Sequence, residues 1–377
     1  MNLRRTKAVG HKEFLHILRD PRSLVMALAL PGLMLVLFGY ALTLDVDRIP
    51  LLVYDASKTP RSRDLLSRFE GSRFFQIQGF AEDYRIIEDA IDRSQILAGL
   101  VIPRDYSIHL GQGKTADIQL LLDGSDSNTA AIALGYAQAI VLAENAELQA
   151  RFLERKLGQK WVPPLENRTR IWYNSELKSK NYIVPGLVAV ILMIIAALLT
   201  SLTIAREWEM GTMEQLLSTP VRSTELVLGK MSAYFLLGAA DTAFVIVLGV
   251  TVFDVPLRGD LLLLAFSCFV FLFGALCWGI LLSAAARTQL LAYQLGMITS
   301  FLPAFLLSGF MFTIENMPIP VQAFTYLVPA RYFVTVLRGI SLKQVGLEIL
   351  GWDILFLIAF AVIVFLLASR KLKGEIV

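Results

Sequence analysis

Long apolar runs alternate with polar stretches along this chain. Six runs reach the roughly 20 residues that a helix needs to cross a bilayer: 23–43, 182–204, 231–253, 261–285, 289–313 and 350–369. Short connections join all of them except the first pair and the last pair. Residues 44–181, between the first two runs, follow a different pattern. Segments 49–54, 74–80, 96–102 and 118–122 read as short strands. Segments 62–69 and 81–93 read as helices, the second with Ile86, Ile87, Ala90 and Ile91 as its apolar positions. Asp126 is placed to cap a long helix running to about Leu157. Strands alternating with helices predict an α/β domain. The stretch 161–180, which holds prolines and charges, leads back to the next apolar run.

Charge orients this pattern. Arg4, Arg5, Lys7, Lys12, Arg19 and Arg22 precede the first run, and Arg370, Lys371 and Lys373 follow the last. Basic flanks of membrane spans stay in the cytoplasm, and six crossings return the chain to its starting side. Arg206, Arg222 and Lys230, between the second and third runs, and Arg287, between the fourth and fifth, agree with that orientation. Segment 314–349 carries Arg331, Arg338 and Lys343 on the expected outer side and is the exception. The domain at 44–181 is nearly neutral, and long domains translocate regardless of charge. The expected fold class is an α-helical polytopic membrane protein with six transmembrane helices and an inserted α/β extracytoplasmic domain. No small-x-small cleavage site follows Tyr40, so the first run is read as a retained span, not a signal peptide. In residues 1–22, Phe14, Leu15, Ile17 and Leu18 share a helical face with basic residues opposite, which predicts a helix lying on the inner membrane surface.

The 377 residues are 55% hydrophobic and 18% charged, with net charge +3. That balance carries no nucleic-acid signature. Cys268 and Cys277 lie about 13 Å apart along one apolar run, too far for a disulfide within a helix. His11, His16 and His109 show no metal-ligand spacing. The nearest approach to a phosphate-binding loop, Gly229-Lys230, has Thr224 where the upstream glycine belongs and Met231 where a Ser or Thr belongs. No cofactor site and no enzymatic motif is expected in this chain. Asp241 stands alone as an ionisable residue well inside a predicted span, which marks it as a pathway or gating candidate; a protonated or hydrogen-bonded packing role near Gly238 and Thr242 is the alternative. Pro31, Pro185 and Pro303 read as kinks. An ion-gradient-driven secondary transporter is the rival functional reading; it calls for several intramembrane carboxylates or broken helices.

The stretch 205–222, AREWEMGTMEQLLSTPVR, is the most informative. It reads as a short polar helix broken near Gly211 and stopped by Pro220, placed to touch a soluble partner. Its Arg-Glu-x-Glu-x-Gly-Thr-x-Glu-Gln-Leu-Leu-x-Thr-Pro pattern resembles the coupling element of the ABC-2 type transporter permeases. Lys12-Glu13-Phe14 and Arg19-Asp20-Pro21-Arg22 resemble that family's N-terminal connecting helix. Segments 307–312 with 315–318, and 326–333 with 337–340, resemble its fifth span and its outer re-entrant helices. Asp55, 100–103 and 122–125 resemble the periplasmic domain of the multidrug-exporter branch.

The resemblance implies a permease subunit of an ATP-driven ABC exporter in a bacterial inner membrane, moving drug-like or amphipathic substrates outward. ATP and Mg would be held by a separately encoded ABC ATPase subunit. A second permease subunit, identical or related, a periplasmic adaptor protein and membrane lipids are the further implied partners. Arg206, Glu207, Trp208, Glu209, Gly211, Thr212, Glu214, Gln215, Leu216, Leu217 and Pro220 would carry the ATPase coupling. The implied division is 1–22 as connecting helix, 23–43 as first span, 44–181 as periplasmic domain and 182–377 as a five-helix bundle. Within the bundle, 205–222 would couple and 314–349 would dip into the outer leaflet without crossing.

Overall fold

The computed structural model describes residues 2–19, 21–42, 48–158, 170–176 and 178–376. They form two compact units, Met1–Thr43 with Ile171–Val377, and Leu44–Arg170. The first unit opens with α1 (Leu3–Arg19) and α2 (Pro21–Ala41). Pro21 suits the first turn of α2, where its missing N–H would have no partner anyway.

The second unit is α/β. In chain order it contains β1 (Ile49–Asp55), α3 (Pro60–Glu70), β2 (Phe75–Phe80), α4 (Tyr84–Asp92), β3 (Ala98–Ile102), α5 (Tyr106–Gly111), β4 (Gln119–Leu122) and α6 (Ser127–Leu157). The sheet order is β2-β1-β3-β4, parallel but for the antiparallel pair β3 and β4. β3 is buried along its whole length, as its unbroken apolar sequence requires when helices cover both faces. On one face lie Leu65, Leu66 and Phe69 of α3 with Ala133 and Ala137 of α6. On the other lie Ile87 and Ala90 of α4. α4 sits so close that a Cβ on Gly99 would come 2.2 Å from Ile87 Cγ2. Asp126 caps α6 as the sequence predicts, accepting from the N–H groups of Asn128 and Thr129. Thr59 and Asp83 cap α3 and α4 likewise.

The first unit resumes with α7 (Ser179–Glu209), α8 (Thr212–Leu217), α9 (Ser223–Thr251), α10 (Leu261–Ala286), α11 (Gln289–Gly296), α12 (Leu302–Leu306), α13 (Ile319–Thr325), α14 (Pro329–Arg338) and α15 (Leu347–Ile376). Among the described residues, five spans are long and apolar enough to cross a membrane: Ser179–Glu209, Ser223–Thr251, Leu261–Ala286, Gln289–Leu306 and Leu347–Leu372. The expected first span falls on α2, whose described apolar run is the shorter Ala27–Ala41. α7 is the central helix: 83% of its most apolar window is buried, against 28% for α15. A helix apolar all round belongs in such a position. Small residues let α10 approach it. A Cβ on Gly279 would meet Thr200 Oγ1 at 2.1 Å, and that hydroxyl donates to the Leu276 carbonyl of α10 at 2.9 Å. Ser283 Oγ of α10 accepts from the N–H groups of Ile204 and Ala205. Such polar contacts between close helices replace the hydrophobic drive that lipid removes.

Two expectations shift. The run at 289–313 ends as a helix at Leu306, short of 313. A π-helical turn at Met297–Phe301 joins α11 to α12, directly before Pro303, which has no N–H to continue the ladder. The chain then turns at Gly309, φ +76°. The third span begins well before 231. Glu225 accepts from the N–H of Arg222 at 3.1 Å, which extends α9 back to Ser223 and puts Lys230 inside the helix. Segment 314–349 breaks into short helices, with Pro318 just before α13 and Pro329 at the start of α14. α14 packs into the bundle, Phe333 stacking on Phe271 at 4.0 Å and Tyr332 on Phe356 at 4.9 Å.

Candidate functional site

The motif at 205–222 begins as an uninterrupted continuation of α7. Gly211, φ +70°, turns the chain into α8; a left-handed residue is what glycine supplies most readily. Met213 is fully buried beneath α8, while Glu214, Gln215 and Pro220 are exposed and Thr212 and Leu216 are half-buried. The side chain of Leu217 lies outside the described residues. Trp208 is half-buried against the bundle core, with the Arg287 guanidinium 5.4 Å from its ring centre. Arg206 Nε donates to Gln289 Oε1 at 3.3 Å, and Glu209 accepts from the Gln289 backbone N–H at 3.1 Å. Arg206 and Glu209 thus clamp the start of α11.

Glu207 departs from the surface role its sequence context predicts. It is buried, 6% exposed, and its Oε1 accepts from Lys230 Nζ at 2.7 Å. The same Nζ donates to Glu13 Oε1 at 2.6 Å. Lys230 is 1% exposed, so an ammonium and two carboxylates meet in one buried cluster at the wall of a cavity. Burial of a charge is tolerated only with such pairing. Lys12 adds a peripheral contact to Glu207 at 3.4 Å. The Gly229-Lys230 pair therefore holds helices together. Gly229 makes the site possible: a Cβ there would lie 2.7 Å from Val9 Cβ and 3.0 Å from the Thr6 carbonyl. Opposite it, a Cβ on Gly10 would meet Ser232 Oγ at 2.5 Å. The glycines let α1 lie against α9 and bring Glu13 to Lys230. Further along, Glu225 accepts from the Asn2 N–H and the Pro220 carbonyl from Arg5 Nη1. α1 is thus tied to the beginning of α9, to the end of the motif and to the end of α7. Phe14, Leu15 and Leu18 of α1 stay exposed.

One wall of this junction opens into a cavity of about 570 Å³ between α1, α2, α7, α9 and Tyr293 of α11. Leu198, Leu199, Leu202 and Leu237 give it apolar sides, and His16, Arg206 and Glu207 a polar end.

Asp241 lies apart from these residues, in mid-α9. It is 1% exposed and neither carboxylate oxygen has a hydrogen-bond partner among the described residues. Its neighbour Thr242 donates to the Gly238 carbonyl at 2.7 Å and not to Asp241. Among the described residues no group of three His, Cys, Asp or Glu is placed to hold a metal.

Sequence reasoning missed the buried triad because Lys230 reads as part of a polar connection. The missed signal was Glu225, an acidic residue in the first turn of a helix that starts ahead of the lysine.

Membrane-length helices around a buried centre, with a charged junction at one end, make this a multi-pass membrane protein. The chain belongs to the ABC-2 family of transporter proteins, whose family model matches residues 21–370. It is 35% identical over 377 residues to the probable multidrug ABC transporter permease YbhS of Escherichia coli (strain K12), covering 100% of this chain and 98% of that protein. Identity to the probable multidrug ABC transporter permease YbhR of the same organism is 32% over 349 residues, 92% of this chain and 91% of that one. The inner membrane transport permease YhhJ, also of that strain, is 26% identical over 337 residues, 88% and 87% of the two chains.

Proposed function

We propose that this chain forms the membrane pathway of an ATP-driven exporter, with hydrolysis supplied by a separate ABC ATPase subunit that holds ATP and Mg. α2 is the first of six crossings, both chain ends and the 205–222 segment are cytoplasmic, and segment 44–181 is periplasmic, in a bacterial inner membrane. Segment 314–349 sits in the outer leaflet. A second permease subunit, identical or related, completes the pathway, and a periplasmic adaptor receives the cargo. The relatives named as multidrug permeases support drug-like or amphipathic cargo, and the apolar cavity with a polar end suits such molecules. Asp241, buried without a hydrogen-bond partner among the described residues, is a pathway or gating residue.

The observation that carries this reading is the continuity of the junction. Glu214 and Gln215 present an exposed face on α8, and only Met210 and Gly211 separate α8 from the central helix. Glu207, two residues from the end of that helix, is fastened through Lys230 to α9 and through the same lysine to Glu13 of α1. A displacement of α8 is therefore delivered to three helices together. The test is Glu214→Lys with Gln215→Lys, both away from the buried triad. The ATPase should no longer co-purify and transport should fall, while the amount of chain in the membrane holds. An intact complex with full transport would defeat the coupling role of this face.

A further inference from the structure

The α/β unit carries a second cavity that the transport reading does not use. It lies at the carboxyl ends of the parallel strands and has a volume of about 810 Å³, within the range of about 300–1,000 Å³ usual for small-molecule sites. Its position follows from the topology. β1 and β2 are neighbours in parallel register, Leu51 opposite Ile77 and Val53 opposite Phe80. After Asp55 the chain leaves β1 for α3, on the face that holds Leu65 and Phe69. After Phe80 it leaves β2 for α4, on the opposite face with Ile87 and Ala90. Adjacent parallel strands whose connections diverge to opposite faces leave a crevice beyond their carboxyl ends, where open α/β sheets bind ligands.

The side chains lining the crevice define its chemistry. Lys58, Arg63 and Arg104 approach from the ends of β1, α3 and β3. All three are exposed, and none has a side-chain hydrogen bond or ion pair among the described residues. Two carboxylates also line the site, Asp55 and Glu82. Asp55 is already committed: it accepts from the N–H groups of Ser57 and Lys58, each at 3.0 Å, and from the Ser62 hydroxyl at 2.7 Å. Those bonds hold the β1–α3 loop, including Lys58 at φ +49°, so the rim is fixed before any ligand arrives. The donors to Asp55 are neutral and leave its charge in place, so the lining holds three cations and two carboxylates, a net +1 whose three side-chain cations carry no bond among the described residues, a field that favours an anion. The remaining wall is apolar. Phe80 is 66% exposed, and Tyr54 and Leu66 line the same cavity.

We propose that the crevice at the carboxyl ends of β1, β2 and β3 binds a small organic anion bearing an apolar ring, the ring against Phe80 and Tyr54 and the anionic group held by Arg63 and Arg104. Guanidinium forks match carboxylates and related anions in two-point contact, and an aromatic wall offers stacking area. The proposal does not rest on the transport reading, because it concerns binding to this unit alone.

The test uses the full chain in lipid nanodiscs and 2-naphthoate as probe, followed by calorimetry with empty nanodiscs subtracted. One saturable site is expected. Arg63→Gln with Arg104→Gln should weaken it about tenfold or more, and Phe80→Ser should weaken it as well, with thermal melting unchanged because all three side chains are exposed. The matched charge change Arg85→Gln with Arg93→Gln, outside the cavity lining, should leave the affinity as it was. The neutral analogue 2-naphthamide should bind at least tenfold more weakly. Absence of a saturable site, equal weakening by the two arginine pairs, or equal binding of the amide would each overturn the proposal. So would inorganic phosphate binding as tightly as naphthoate together with no effect of Phe80→Ser, since the site would then read charge alone.

Discussion

Lys230→Met takes the ammonium from between Glu13 and Glu207 and leaves a side chain of similar length in its place. Both carboxylates are buried, and Lys230 donates to them at 2.6 and 2.7 Å. Removing one partner of a buried charge pair costs about 3–5 kcal/mol, because the other charges stay behind buried and unpaired. Lys12 offsets little of this. It stands 3.4 Å from Glu207 with 61% of its side chain exposed, and such pairs contribute roughly 1 kcal/mol or less. The net loss is therefore about 2–4 kcal/mol. Replacing the whole triad, Lys230→Met with Glu13→Gln and Glu207→Gln, leaves no stranded charge and should be close to neutral. Thermal unfolding of the purified chain in one detergent compares the three proteins. A bundle of about this size loses on the order of 5–10 °C for such a change, and the triple variant should recover most of it. Transport should separate from stability: the triple variant folds, yet its helices are no longer fastened, so it should transport poorly. Equal destabilisation of the single and triple variants, or full transport by the triple variant, would refute the reasoning.

Gly229→Ala puts a methyl group 2.7 Å from Val9 Cβ and 3.0 Å from the Thr6 carbonyl. Overpacking of about 1–3 kcal/mol should outweigh the gain in helix propensity of about 1 kcal/mol, giving a lower melting temperature that Val9→Ala partly restores. Asp241→Leu removes a buried carboxylate without a hydrogen-bond partner among the described residues and should raise the melting temperature, while Asp241→Asn should keep abundance and lower transport; full transport by the Asn variant would retire Asp241 from the pathway. In the α/β unit, the Thr129 hydroxyl and backbone hold the Asp126 carboxyl below the usual carboxylate range. Because the folded-state value is the depressed one, its contribution is present above about pH 4 and lost as pH falls through the folded-state value. Hydrogen exchange at residues 127–130 should therefore be faster in Asp126→Ala at pH 7, with the difference closing in acid.

The sequence was most legible where one physical signal acts locally. The strands near 49–54, 74–80, 96–102 and 118–122 were expected from β-rich apolar runs and appear as β1 to β4, and Asp126 sits where its capping chemistry places it. Legibility failed where helices end by tertiary contact. A hydropathy run stops at Arg206 and Glu207, but backbone hydrogen bonding does not, and α7 continues because Lys230 and Gln289 satisfy those charges from other helices. The same blindness put Lys230 in a loop and Glu207 on the surface. α5 was not expected at all, since six residues are too few to show a period. The motif itself was readable, but its inward half depends on a glycine contact between α1 and α9 that no single stretch of sequence contains.

The triad also sets an order of events during synthesis. Glu13 leaves the ribosome more than two hundred positions before the lysine that neutralises it. Until α9 exists, a carboxylate destined for a buried site has no counter-charge, and α1 cannot dock there at tolerable cost. Chains interrupted before Lys230 would therefore hold α1 loose, its amphipathic face undocked. The feature that joins three helices in the finished molecule acts in the nascent one as a latch that closes only after the central helix has been made.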